Sequence, residues 1–432
     1  MISQRPVRWT SVPGPDTIAR RELANGVIAL ANENPSSPSV VVEGRVWVDG
    51  LVSRPQAGLS NFVREMLTRG TVKRNFATIA ETVESVGASF GFDSNWFSTG
   101  FSGRCLAEDL PLLLEIIADC FRQPTFPMDQ VEKVRGEILT SLEQRAYDTR
   151  RMAMLTFYET LYEGQPMAIS TYGYHDSVAA LSRADLVEFY QQRYGPQGMI
   201  VVVVGAVPPE RALAEVEQVL GDWRREVPAA PLVIPPVVRP LTMRRKELTI
   251  PGKSQADLVL GNVGLPRNHP DYFAARLANT VLGVFGMMGR IGENVRERQG
   301  LAYYAYSSLA ASLAAGPWMA IAGVHPDNVE RTVQSILDEM RRLQDEPVPE
   351  DELADNKSYL IGSMPLTLET NGGVAATLEA MEAYQLGLDY LQRYPAMIEA
   401  ITAEDIQRVA RTYLDTEAYT LAIARPEGAT GN

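Results

Sequence analysis

The sequence predicts an α+β fold built twice. Three observations carry this: segments that recur in the same order along the chain, a proline-dense stretch between the two copies, and helical and strand periodicities that mix without strict alternation. Leu181-Ser182-Arg183-Ala184-Asp185-Leu186 is echoed by Ile401-Thr402-Ala403-Glu404-Asp405-Ile406. A helix follows each, ending near Tyr194 and Tyr413, and then an apolar strand, Met199–Val204 and Tyr419–Ala424. Upstream, Ala107-Glu108-Asp109-Leu110 answers to Pro326-Asp327-Asn328-Val329. Each of these leads into an amphipathic helix, a proline turn (Pro124/Pro127 and Pro347/Pro349) and another helix. One matched pair is chance; three in the same order are a repeated domain.

The boundary falls in Glu226-Val227-Pro228-Ala229-Ala230-Pro231-Leu232-Val233-Ile234-Pro235-Pro236, closed by Pro240. Proline fixes φ and removes a backbone donor, so this stretch reads as an extended, semi-rigid linker. The expected division is 1–225, a linker 226–245, and 246–432. Within the first copy, Leu110, Leu113, Leu114, Ile117 and Phe121 share one helical stripe, and Val131, Val134, Ile138, Leu139 and Leu142 another. Strands are expected at Val40–Val48, Ala256–Val263 and Trp318–Ala322. Each copy should therefore be a sheet with helices packed on one face.

Composition narrows the function. With 432 residues, 45% hydrophobic and 22% charged, the chain is an ordinary globular protein of more than one domain. A net charge of −13 argues against nucleic acid as a partner. The longest apolar run, Met199–Val204, is a buried strand and far too short to span a membrane. Met1–Arg8 lacks the charged-then-apolar pattern of a signal peptide, so a cytoplasmic location is expected, or a periplasmic one if a leader was removed. Cys105 and Cys120 give neither a disulfide framework nor zinc-knuckle spacing, and Cys120 reads as a small buried thiol.

The most specific stretch is Gly58-Leu59-Ser60-Asn61-Phe62-Val63-Arg64-Glu65-Met66-Leu67-Thr68-Arg69-Gly70-Thr71. It resembles the zinc-binding helix of the insulinase (pitrilysin) family of metallopeptidases, which runs roughly G-L-A-H-F-L-E-H-M-L-F-K-G-T. The frame agrees at Gly58, Leu59, Phe62, Met66, Leu67, Gly70 and Thr71. The chemical positions do not. Histidines at i and i+4 offer two imidazoles on one helix face, and a carboxylate between them acts as general base on metal-bound water. Here the first ligand position is Asn61, the base position is Arg64, a permanent cation, and the second ligand position is Glu65. The resemblance implies a third ligand and a supporting glutamate on a later helix; these positions fall on Ser141 and Val134. Individually, Arg64 and Glu65 read as a solvated helix face. The histidines His175, His269 and His325 are scattered, and the last two precede Pro270 and Pro326, which suits turns.

A second signature is intact. Arg296-Glu297-Arg298-Gln299-Gly300-Leu301-Ala302-Tyr303 resembles the family's R-E-x-x-G-L-A-Y element, and Val281–Arg290 resembles its glycine-containing approach. Arg296 should end a helix, with Gly300 at its C′ position and a strand from Leu301. Tyr303, Tyr304 and Tyr306 read otherwise as strand aromatics. In the family this arginine and tyrosine hold the substrate backbone beside zinc. Further agreement is found at Glu22–Val27, which resembles the family's opening L-x-N-G strand, and at Arg193-Tyr194-Gly195-Pro196.

The resemblance implies two duplicated domains, each a mixed, mainly antiparallel sheet, together forming half of a clam-shell chamber. It implies further that this chain binds no metal and completes a heterodimer. Its partner would be a homologous subunit with an intact H-x-x-E-H, which holds the zinc, while Arg296 and Tyr303 act in trans on a peptide substrate. A catalytically inert structural scaffold, or a peptide-binding protein, of the same fold is the alternative.

Overall fold

A computed structural model describes residues 12–225, 228–284 and 289–427. Its backbone divides into two compact units. The first comprises Met1–Leu139, Thr171–Val233 and Ser363–Pro395; the second comprises Thr140–Ser170, Ile234–Gly362 and Ala396–Asn432.

The first unit is built on a six-stranded sheet: β1 (Ile18–Glu22), β2 (Ile28–Glu33), β3 (Ser39–Trp47), β4 (Ser89–Ser94), β5 (Ser98–Leu106) and β6 (Ile200–Gly205), in the order β1-β2-β6-β3-β5-β4. Only β2 and β6 run parallel. The second unit holds β7 (Arg244–Thr249), β8 (Ala256–Val263), β9 (Ala302–Leu309), β10 (Pro317–Val324) and β11 (Thr420–Arg425), in the order β7-β11-β8-β10-β9. Its one parallel pair is β7 with β11. Strand for strand, β2-β6-β3-β5-β4 and β7-β11-β8-β10-β9 are the same mixed sheet.

Local chemistry explains the elements. Ser182 and Thr402 each cap a helix, Arg183–Arg193 and Ala403–Tyr413, and in both cases an aspartate three residues on (Asp185, Asp405) returns the bond to the cap's N–H. These reciprocal caps satisfy donors that a helix start leaves orphaned. β6 and β11 are buried at every residue, which is why they read as unbroken apolar runs. β3 alternates buried and half-buried residues instead, with Val40, Val42 and Val46 inside.

That alternation has two covers. On the buried side, Phe101 of β5 meets Phe121 of the Leu110–Arg122 helix edge-on at 5.3 Å. Across β3, the Asn371–Ala383 helix packs on β3 and β6, and Arg45 forms a two-pronged ion pair with its Glu379. In the second unit the Thr149–Leu161 helix packs on β7, β8 and β11. So each unit has helices beyond the single face that periodicity suggests, and each takes a helix from the other half of the chain. The compact units are therefore not the contiguous stretches 1–225 and 246–432.

Between Pro228 and Met243 there is no helix or strand, while Glu226 and Val227 lie outside the described residues. The extended backbone is held nonetheless. Gln165 bonds both the N–H and the carbonyl of Val238, at 2.8 and 3.0 Å. Arg239 reaches the Thr412 carbonyl at 2.7 Å. Leu23–Val27 is a tight turn between β1 and β2 rather than a strand, with Gly26 in the left-handed region at φ 86°. Both thiols are buried, and burial pushes Cys105 and Cys120 up to about 12, so neither is a nucleophile at neutral pH.

Candidate functional site

The degenerate motif lies on the helix Leu59–Met66, which packs against β4 and the Arg183–Arg193 helix. Asn61 is 3% exposed. The Arg64 side chain is only 16% exposed and Glu65 34%, so the expectation of a solvated helix face is overturned for Arg64. The reason is packing: β4 passes over the helix, and Arg64 Nη1 lies 3.5 Å from the Phe92 carbonyl. Its Nη2 donates to Asn61 Oδ1 at 2.6 Å, and Nη1 sits 2.9 Å from Glu65 Oε1. One guanidinium thus bridges the two positions, i and i+4, that would be metal ligands.

The Met128–Ala146 helix carries the other two positions. Val134 is fully buried, and Ser141 is exposed. Neither supplies a carboxylate. Among the described residues no group of three or more His, Cys, Asp or Glu could hold a metal ion. These residues do not fit a catalytic zinc: the donor oxygens are committed to a fixed cation, which would repel a second one. His269 and His325 take the turn roles expected of them, each accepting a backbone N–H two residues on, from Asp271 and Asp327.

The second signature forms a different structure. Gly292–Arg298 is a π-helix, with Gln299 N–H donating to the Asn294 carbonyl at 3.1 Å. Such wide turns are uncommon and concentrate at functional sites. Gly300, at φ 62°, closes it: its N–H bonds the Arg296 carbonyl at 3.1 Å and the Leu301 N–H bonds Val295 at 2.9 Å. Side chains fasten the π-helix to the Val329–Asp345 helix, through Asn294 to Glu339 at 2.6 Å and Gln299 to Ser335 at 3.0 Å. Arg296 remains partly exposed, and among the described residues its side chain makes only a loose ion pair, to Glu297 at 3.6 Å. Phe285–Met288, in the glycine-containing approach, lie outside the described residues.

β9 then delivers Tyr303. Tyr304 pairs with Gly323 and Ala302 with Val324, so Tyr303 is the extra residue of a β-bulge on the sheet's edge strand. Bulges re-aim side chains, and Tyr303 is 63% exposed. Its hydroxyl bonds none of the described residues. By contrast Tyr304 lies flat over Gly323, where a Cβ would meet its ring at 2.4 Å. The Tyr304 hydroxyl donates to the buried Asp257, which also accepts from Thr149 and from Gln255 at 3.1 Å. The Arg150 guanidinium covers the rings of Tyr304 and Tyr306, at 5.1 and 5.7 Å, and donates to the Tyr306 hydroxyl. Two of the three tyrosines are anchored, whereas the Tyr303 hydroxyl is held by none of the described residues. No sequence signal pointed to Asp257, Arg150 or the bulge.

An unusual carboxyl lies in the first unit. Burial, and then Asp93, push Glu43 of β3 up to about 7, against the opposing pull of Arg45. An acid raised on folding favours the folded state below its unfolded value and loses that contribution as pH rises through about 7. Glu43→Gln should therefore raise the thermal midpoint at pH 8 and leave it unchanged near pH 4.5. The gain is about 1 kcal/mol once solvent screening of a half-buried group is allowed for. Paired melts at the two pH values check this.

Comparison with known proteins follows the same lines. Residues 36–174 match the model for insulinase (peptidase family M16), and residues 180–360 match the peptidase M16 inactive domain. An uncharacterized zinc protease of Streptomyces coelicolor is 26% identical over 408 residues, covering 93% of this chain and 88% of that one. Human cytochrome b-c1 complex subunit 1 is 26% identical over 266 residues, covering 60% and 54%. A crystal structure of a peptidase M16 inactive domain from Pseudomonas fluorescens superposes with a TM-score of 0.87 at 25% identity, covering 95% of this chain and 98% of that one. A protease from Helicobacter pylori has the same fold, with a TM-score of 0.88 at 17% identity and coverage of 96% and 100%.

Proposed function

Because this chain belongs to the insulinase (M16 peptidase) family, we propose that it is the non-catalytic subunit of a two-chain zinc peptidase, completing the substrate chamber around a partner's metal site. The observation that carries the reading is the contrast between the two signatures. The base position holds the Arg64 cation and the third-ligand position an exposed serine, whereas Arg296 keeps a loose ion pair to Glu297 and the Tyr303 hydroxyl bonds none of the described residues.

In this reading the Arg296 guanidinium donates to a carbonyl of the bound peptide and fixes its backbone. The Tyr303 phenol donates to the oxygen that gains charge as the peptide carbon becomes tetrahedral. The zinc belongs to a homologous subunit with an intact H-x-x-E-H, which supplies the activated water. The cytoplasm is the proposed location. No helix among the described residues is long and apolar enough to cross a membrane.

The test is reconstitution. The purified chain and a zinc-bearing homologue from the same cell are assayed separately and mixed, against a quenched peptide library. Cleavage by the mixture but not by this chain alone supports the proposal; chelator-sensitive cleavage by this chain alone overturns it. The relation to cytochrome b-c1 complex subunit 1 favours a second reading, an inert scaffold of the same fold. A complex that assembles yet cleaves nothing would support that one.

A further inference from the structure

We infer that Arg64 is a tethered substitute for the metal ion: its guanidinium supplies the positive charge that the helix Leu59–Met66 and strand β4 are shaped around. The geometry is specific. A metal held by side chains at i and i+4 must lie between their tips, and here a single cation does so, 2.6 Å from Asn61 Oδ1 and 2.9 Å from Glu65 Oε1. A third oxygen, the Phe92 carbonyl of β4, lies 3.5 Å from the same group. All three are acceptors, as a cation requires. The ligand-position residues have changed to match: an amide oxygen and a carboxylate offer several lone pairs to a guanidinium's donors, whereas a neutral imidazole offers one acceptor nitrogen and an imidazolium none.

Burial makes the substitution consequential. With Asn61 almost fully enclosed and Arg64 largely so, removing the charge strands Asn61 Oδ1 and leaves Glu65 without its partner. The charge reaches further still, since Arg64 lies close enough to the fully buried Tyr194 hydroxyl to oppose the upward push of burial on it. The niche is therefore closed to zinc by occupation as well as by loss of ligands. Restoring histidines alone will not reopen it. The inference stands independently of the partner-subunit reading, since it concerns the isolated chain.

Chemical rescue tests it. Arg64→Ala should unfold a few degrees below the parent chain. Millimolar guanidinium chloride should restore much of that loss in the variant and none in the parent, with equal sodium chloride and urea as controls. Arg64→Met keeps the apolar stem without the charge and should remain as unstable as Arg64→Ala, whereas Arg64→Lys should fall between Arg64→Ala and the parent chain. If Arg64→Ala does not fold, the Met and Lys variants carry the comparison alone. A second arm reads metal directly: Asn61→His with Glu65→His should take up no stoichiometric zinc while Arg64 is present. A parent-like midpoint for Arg64→Met, or one equivalent of zinc in the double-histidine variant, overturns the inference.

Discussion

Tyr303→Phe should lower turnover of the proposed two-chain peptidase by about 10²–10³-fold, the usual consequence of losing one donor to a developing oxyanion, and Arg296→Ala should lower it too by loosening the peptide backbone. Assembly should be unaffected. Among the described residues Arg296 makes only a loose ion pair with its neighbour and the Tyr303 hydroxyl bonds nothing, so neither substitution removes a described contact that holds the fold. Tyr303→Phe keeps the ring and deletes one hydroxyl, which makes it the sharper of the two. The loss should appear in kcat and kcat/KM together if the phenol acts only in the transition state, whereas Arg296→Ala should also raise KM by releasing the ground-state carbonyl. Steady-state kinetics, with gel filtration to confirm the complex, decides. Unchanged turnover in both variants, with an intact complex, would move the protein to the scaffold class.

Glu379→Ala should destabilise the first unit by about 3 kcal/mol, because breaking a buried ion pair from one side leaves the other charge uncompensated. Glu379 is 7% exposed and Arg45 19%, and the pair is two-pronged, with Arg45 Nη2 at 2.6 Å from Glu379 Oε2. Arg45 also faces the rings of Trp47 and Tyr384 at 5.3 and 5.9 Å, and among the described residues Glu379 is the carboxylate within ion-pair distance of it. Chemical denaturation should show the loss as an earlier transition of one unit. The double replacement Arg45→Met with Glu379→Leu should recover most of the stability, since no charge is then stranded. A Glu379→Ala chain as stable as its parent would mean that Arg45 is solvated in place.

Much of the architecture was legible because it is written in short-range patterns. The strand at Val40–Val48 follows from a valine-rich run, that at Ala256–Val263 from its largely apolar content, and the paired helix starts at Ser182 and Thr402 from the repeated segments that hold them. The loss of the metal motif was legible because each position in it has one chemical requirement. What escaped was non-local. Nothing in residues 371–383 says that their helix covers β3 and β6, since its partners lie hundreds of residues away. The π-helix at Gly292–Arg298 has no hydrophobic period of its own, and the bulge at Tyr303 depends on how β9 registers against β10. Helical periodicity counts Arg64 as a surface charge, because an arginine is polar and the pattern carries no sign that β4 lies over it.

The exchange of helices sets a timetable for synthesis. When the ribosome has released the first half of the chain, β3 and β6 are complete, but the helix that will cover them, Asn371–Ala383, has yet to be made. The nascent first sheet must wait with that surface bare, and Arg45 must wait without Glu379. The Thr149–Leu161 helix, conversely, is finished long before β11, the last strand it packs on, leaves the exit tunnel. Each compact unit is therefore complete only once sequence from both halves of the chain has been made.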